Sequence, residues 1–184
     1  MNELYALGEL MTRPLHGYLL HNILNRTVGP IRQISWGTLY PLIRRLEKEG
    51  FIEQVQDDEL TAGRGKKKKT YQITEEGKTQ FYRLMEEPIP YSSDYEMHFH
   101  IKMGNFSQVT EDVKLIILHQ YKDFLRFNYR HIKDHKSYVS ETDEIPSSEV
   151  QYIVTIHDHI LMQIELNESW VEKQILEVKR GWGR

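Results

Sequence analysis

The chain has 184 residues, of which 39% are hydrophobic and 28% charged, with a formal net charge of −3 and no cysteine. That composition belongs to a globular protein with enough apolar material for one medium or two small domains, and the missing cysteines exclude disulfides, thiolate zinc sites and thiol redox sensing. No apolar run approaches the ~18 residues that span a bilayer, and Met1-Asn2-Glu3-Leu4 lacks the basic start of a secretion signal, so the expectation is a cytoplasmic protein with no membrane partner.

Leu4, Leu7, Leu10 and Met11 fall at helical spacing, and Arg13-Pro14 ends that first helix because a residue before proline avoids the α region. A second helix begins near Gly17, with Tyr18, Leu19, Ile23 and Leu24 as its stripe, and Val28-Gly29-Pro30 closes it. Ser35 is the N-cap of a third helix, whose apolar face is Leu39, Leu42, Ile43 and Leu46 and whose opposite face carries Gly37, Pro41, Arg44 and Lys48. Pro41 lies six residues past the cap, where its missing N–H predicts a bend or a tighter start to the helix. Gly50 stops it. Phe51–Gln56 then alternates as a strand, pairing with Lys69–Ile73, and Thr74 caps a fourth helix with Phe81, Leu84 and Met85 inward, ending at Pro88.

Between the two strands, five of the six residues from Arg64 to Lys69 are cationic. Residues 1–90 hold 13 Lys/Arg against 12 Asp/Glu, whereas residues 91–184 hold 11 against 15, so local clustering and not net charge is what a phosphate backbone would meet. A capped amphipathic helix followed by a hairpin with a basic tip is the second half of a winged helix-turn-helix. The candidate DNA contacts are Ser35, Gly37, Thr38, Tyr40, Arg44 and Lys48 of the helix, and Arg64, Lys66, Lys67, Lys68 and Lys69 of the wing. Asp57-Asp58-Glu59 just before the wing is positioned to fold back on its lysines when DNA is absent.

Beyond Pro90 two longer helices dominate. The first, from about 110 to 138, offers Val113, Ile116, Ile117, Phe124, Phe127 and Ile132 for burial, and the second runs from Ser147 to about Lys179. Two amphipathic helices alone do not close a core, so both stripes are expected to meet a second subunit, with Ile153, His157, Ile160, Ile164 and Val171 at the homodimer interface. The fold class is therefore mainly α with a small β-hairpin wing: a winged helix-turn-helix DNA-binding domain at 1–87, then an all-helical dimerisation and effector-sensing domain at 91–184. Nine histidines raise the alternative of a histidine metal sensor, but His131 and His135 at i,i+4 have no third ligand at a telling distance, so no metal or cofactor is assigned. A further alternative is a winged helix used for protein–protein assembly, its lysines meeting an acidic partner. No nucleophile triad, phosphate-binding glycine loop or paired-carboxylate motif points to an enzyme. Tyr91, Tyr95, His98 and Trp170 are candidate walls of an effector pocket beside Pro88-Ile89-Pro90.

These residues resemble the PadR family of bacterial transcriptional regulators, in the longer subgroup with a helical C-terminal module. The likeness rests on His16-Gly17-Tyr18, Ser35-Trp36-Gly37-Thr38-Leu39-Tyr40-Pro41, Leu46-Glu47-Lys48-Glu49-Gly50-Phe51-Ile52 and Tyr71-Gln72-Ile73-Thr74-Glu75-Glu76-Gly77, and more weakly on Glu168-Ser169-Trp170-Val171-Glu172. The resemblance implies a homodimeric repressor that binds an inverted-repeat operator in double-stranded DNA and releases it on binding a small molecule, a phenolic acid in the founding members. It also implies that Arg13 and His16 reach the effector. The wing here is longer and richer in lysine than the family's short examples.

Overall fold

The computed structural model describes residues 1–27, 33–55 and 69–181. The chain divides into two compact units, one of residues 1–87 and 92–109, the other of residues 88–91 and 110–184. Residues 92–109 thus belong with the N-terminal unit, whereas composition placed them with the C-terminal helices.

The N-terminal unit contains α1 (Asn2–Leu10), β1 (Leu15–His16), α2 (Gly17–Thr27), α3 (Trp36–Lys48), β2 (Ile52–Val55), β3 (Thr70–Ile73), α4 (Glu75–Glu86), α5 (Tyr95–Gly104) and a 3-10 turn, Phe106–Gln108. The sheet has three strands, not two. Leu15 and His16 pair antiparallel with Tyr71 and Thr70, giving the order β1-β3-β2, and Ile52 faces Ile73 across the hairpin. Helix α1 is the hub, packing on α2, α3, α4, α5 and β3. Its Leu4 and Leu7 are fully buried with Leu20, Leu24, Leu39, Leu46 and Phe81, each such side chain stabilising the fold by roughly 1.5–3 kcal/mol.

Polar groups then fix the ends. Helix α3 closes with the N–H of Phe51 donating to Leu46 and that of Gly50 to Glu47, and Gly50 takes φ 77° as this stop requires. The Thr74 hydroxyl donates to the Gly50 carbonyl at 2.6 Å and accepts from Gly77 N–H at 3.0 Å, joining the end of α3 to the start of α4. Helix α5, which periodicity did not reveal, is locked on by Lys102. Its fully buried ammonium donates to the carbonyls of Met85 at 2.9 Å and Glu87 at 2.5 Å, acceptors that the last turn of α4 leaves over. Burial drives the Lys102 pKa down to about 8.

The C-terminal unit is an antiparallel hairpin of α6 (Glu111–Glu141) and α7 (Ser147–Lys179). Ile117, Leu118, Tyr121, Leu125 and Val139 of α6 and His157, Ile164, Val171, Ile175 and Val178 of α7 are buried. Ion pairs Lys122–Glu172 at 2.5 Å, Arg126–Glu168 at 2.9 Å and Lys136–Asp158 line the seam; such exposed pairs are worth ~0–1 kcal/mol each, so the apolar seam carries the stability and the charges set its register.

One expectation about burial is corrected by this hairpin. Ile116 and Phe127 are about half exposed, because α6 turns Ile117, Leu118, Tyr121 and Leu125 inward instead. Of the residues expected between subunits, His157, Ile164 and Val171 are buried within one chain and Ile153 and Ile160 are half-buried, because α6 and α7 cover one another's stripes. The apolar side chains of α7 left in solvent are Tyr152, Ile156, Met162, Leu166, Trp170 and Leu176.

The seam also holds a histidine pair, His135 Nδ1 and His157 Nε2 at 3.0 Å. His157 Nδ1 is buried without a partner, so the less costly arrangement has His157 Nε2–H donating and leaves a bare ring nitrogen inside rather than an unpaired N–H. Burial first, then the neighbouring His135 and Lys136, lower the His157 pKa against a raising contribution from Asp158.

Two outcomes are expected. A Cβ at position 77 would lie 1.9 Å from the Phe51 carbonyl oxygen, so Gly77→Ala should destabilise the N-terminal unit by about 1–3 kcal/mol in urea or thermal denaturation. Because His157 is held below its unfolded pKa, the stability it protects is complete above about pH 6.5 and falls as pH drops below it; His157→Leu should flatten that acid limb in circular-dichroism melts.

Candidate nucleic-acid interface

The face of α3 turned away from the core carries the candidate contacts. With Leu39, Leu42, Ile43 and Leu46 buried, the remaining positions Gly37, Thr38, Tyr40, Pro41, Arg44 and Lys48 are exposed. Ser35 is extended at φ −71°, ψ 158°, and its Oγ accepts from Thr38 N–H at 3.2 Å as an N-cap should. Thr38 N–H also reaches the Ser35 carbonyl at 3.0 Å, as does Leu39 N–H, so the helix begins in the tighter i to i+3 form and continues without a break through Pro41. First-turn amides and the positive end of the helix dipole thus sit at the surface beside hydroxyl side chains, the chemistry of a phosphate contact.

The two adjacent arginines have different tasks. Arg45 reaches back to Glu3 of α1 at 2.6 Å, while Glu3 also accepts from Gln80 of α4 at 2.6 Å, so one carboxylate ties three helices together. Arg44 points outward, and with Trp36, Gly37, Tyr40 and Pro41 it lines an open cleft of ≈ 540 Å³. The role of Trp36 was not legible in sequence, since its partners Tyr18 and His21 belong to α2. Strands β2 and β3 bring both ends of the wing beside the helices, and the Lys69 carbonyl accepts from Gly17 N–H at 3.4 Å. Lys69 is exposed; Arg64, Lys66, Lys67, Lys68 and the acidic trio Asp57–Glu59 lie outside the described residues.

The effector candidates divide between the units. In the N-terminal one, Arg13 is exposed and His16 Nδ1 accepts from Leu19 N–H at 3.0 Å, capping α2. Tyr95, on α5, is 1% exposed. His98 is half-buried, its pKa pushed down to about 4 by desolvation, then by the amino terminus and Lys102. In the C-terminal unit Tyr91 packs against Phe124 and Phe127, with ring centroids at 5.3 and 5.1 Å, and Trp170 is 37% exposed. Among the described residues no three His, Asp or Glu side chains converge on a metal position, and the pairing of His135 is with His157 across the hairpin. No helix among them is long and apolar enough to cross a membrane.

Residues 6–83 match the family described as "Transcriptional regulator PadR-like family". This segment of the chain is thus similar to the PadR-like transcriptional regulators. No curated protein sequence matches the chain significantly. Among solved structures it is similar to Bacillus subtilis PadR in complex with operator DNA, at 19% identity over 96% of this chain and 98% of that one with a TM-score of 0.43. It is likewise similar to Bacillus subtilis PadR in complex with p-coumaric acid, at 18% identity over 96% and 94% with a TM-score of 0.40. A transcriptional regulator from Clostridium thermocellum matches at 22% identity over 56% of this chain and 90% of that one, TM-score 0.40. The PadR-like match runs from within α1 to within α4 and stops before α5, so Lys102 and its latch lie beyond the matched segment.

Removing the N-cap of α3 gives the direct check on this local geometry. Ser35→Ala should cost about 1 kcal/mol of stability, read from thermal denaturation of the full chain, and an unchanged melting temperature would show that Thr38 is held by other means.

Proposed function

We propose that the protein is a sequence-specific DNA-binding transcriptional regulator, acting as a homodimer on an inverted-repeat operator and repressing until a small-molecule effector releases it. The observation that carries this reading is α3. Its four apolar residues are in the core, while its capped N-terminus, hydroxyls and Arg44 face water, beside strands that lead into a lysine-rich wing. Ser35, Gly37, Thr38 and Tyr40 are assigned to the backbone near the helix start, Arg44 and Lys48 to the major groove, and Arg64 and Lys66–Lys69 to flanking phosphates.

Dimerisation is supported by α7. At 100° per residue Tyr152, Ile156, Leu166 and Trp170 share one side of the helix, and they are 65%, 58%, 71% and 37% exposed in one chain. A second copy related by a two-fold axis is the partner that covers such a stripe while pairing two readers for half-sites about 34–36 Å apart. This interface replaces the inward residues Ile164 and Val171 with their outward neighbours. In the N-terminal unit the effector reading has exposed Arg13, the α2-capping His16 and half-buried His98 as its polar candidates. A phenolic carboxylate is the class of ligand tested first.

The experiment is a gel shift with genomic fragments under excess random DNA. Survival of a discrete complex supports a DNA reader, and its loss would favour a protein partner for the lysines. Alanine at Lys66–Lys69 should weaken binding to all DNA and lower the slope of log K against log salt by about 0.9 for each phosphate no longer neutralised; an unchanged slope would remove the wing from the interface. p-Coumarate titrated into the complex should release DNA, and no release would leave a reader whose effector is of another class.

A further inference from the structure

Trp36 opens the recognition helix, and three side chains, two from α2 and one from α3 itself, fix how it sits. His21 of α2 lies flat beneath it, ring centroids 3.9 Å apart and planes 7° from parallel. Tyr18 lies at 6.2 Å and Tyr40, one turn along α3, at 5.2 Å. Just before it, the Asn25 carboxamide clasps the backbone of buried Ile34 with both of its atoms, Oδ1 accepting from Ile34 N–H at 2.6 Å and Nδ2 donating to the Ile34 carbonyl at 3.1 Å. The indole is therefore held at its base and along one face. Its outward side joins Tyr40 and Arg44, spaced four and eight residues on, in one row along the cleft of ≈ 540 Å³.

An indole has one N–H donor and no acceptor, so it cannot make the paired hydrogen bonds that read guanine or adenine. What it offers is a rigid apolar edge. The apolar group exposed on base edges in the major groove is the 5-methyl of thymine, and the first turn of a recognition helix is where side chains meet base edges. We propose that Trp36 is a specificity-determining residue which packs on the 5-methyl group of one thymine in each half-site, with His21 and Asn25 as the positioning residues that hold it there. This rests on the proposed reading of the N-terminal unit as a DNA reader and adds an apolar reading element to the basic and hydroxyl side chains assigned above.

The test is a protein-by-DNA cycle with the full chain. A duplex is selected from a randomised library by the wild-type protein, and each thymine in it is replaced in turn by deoxyuridine, which lacks only the methyl. The expected result is one symmetry-related thymine whose loss of methyl weakens wild-type binding roughly fourfold per half-site, the worth of one buried methyl group. Trp36→Ala should bind that duplex more weakly but respond equally to thymine and uracil there, and Trp36→Phe should retain part of the discrimination. His21→Ala keeps the indole and removes its floor; at an unchanged fraction of folded protein it should lower the thymine-to-uracil ratio, which a purely structural role would leave intact. Indifference of the wild type to deoxyuridine at every position would overturn the proposal, as would equal weakening by Trp36→Ala on selected and random duplexes, which would place the indole on the backbone. If the wild type enriches no sequence at all, the reading as a DNA reader falls, and this assignment with it.

Discussion

Burial of the inner face of α3 is the constraint on which the N-terminal unit depends. Leu39, Leu42, Ile43 and Leu46 enter a core centred on Leu4 and Leu7 of α1, and at roughly 1.5–3 kcal/mol per side chain that burial outweighs the cap at about 1 kcal/mol and the surface ion pairs at less. Once those four residues are inside, helical geometry leaves no choice about the rest. Trp36, Tyr40 and Arg44 form an outward row, and the capped amides of the first turn open to water. The chemistry of the outward face is a by-product of the packing of the opposite face.

The polar contacts serve a different purpose, which is to decide where elements begin and end. Glu3 gathers α1, α3 and α4 through Arg45 and Gln80. Asn25 delivers the chain to the start of α3, Thr74 ties the end of α3 to the start of α4, and Lys102 occupies the last carbonyls of α4. Thr74 takes up the first-turn N–H of Gly77 and Lys102 the last-turn carbonyl of Met85, backbone groups that a helix end leaves without an intrahelical partner. In the C-terminal unit the same division holds, with an apolar seam supplying stability and Lys122, Arg126 and Lys136 fixing the register of α6 on α7.

Much of this was legible in the residues alone. Ser35 and Thr74 cap the helices they were expected to cap, Gly50 stops α3, and α7 runs from Ser147 to Lys179, because caps, stops and helical periods are written in residues a few places apart and act through local backbone geometry. The inner face of α3 could be read for the same reason. The likeness to PadR-like regulators over residues 6–83 was readable from the motifs between His16 and Gly77, where spacing is itself the signal.

Tertiary structure decided what local pattern leaves open. Two residues, Leu15 and His16, are too few to show alternation, and only pairing with Tyr71 and Thr70 makes them a strand. Helix α5 has a weak apolar stripe and owes its place to Lys102, a residue that sequence alone would leave in solvent. On α7 a broad stripe could face another subunit or α6, and periodicity cannot distinguish the two; α6 took His157, Ile164 and Val171 and left Tyr152, Ile156, Leu166 and Trp170 outside. Sequence order determines which residues share a helix face, but which face meets which neighbour depends on contacts between distant segments, and that is why His21 came to lie beneath Trp36.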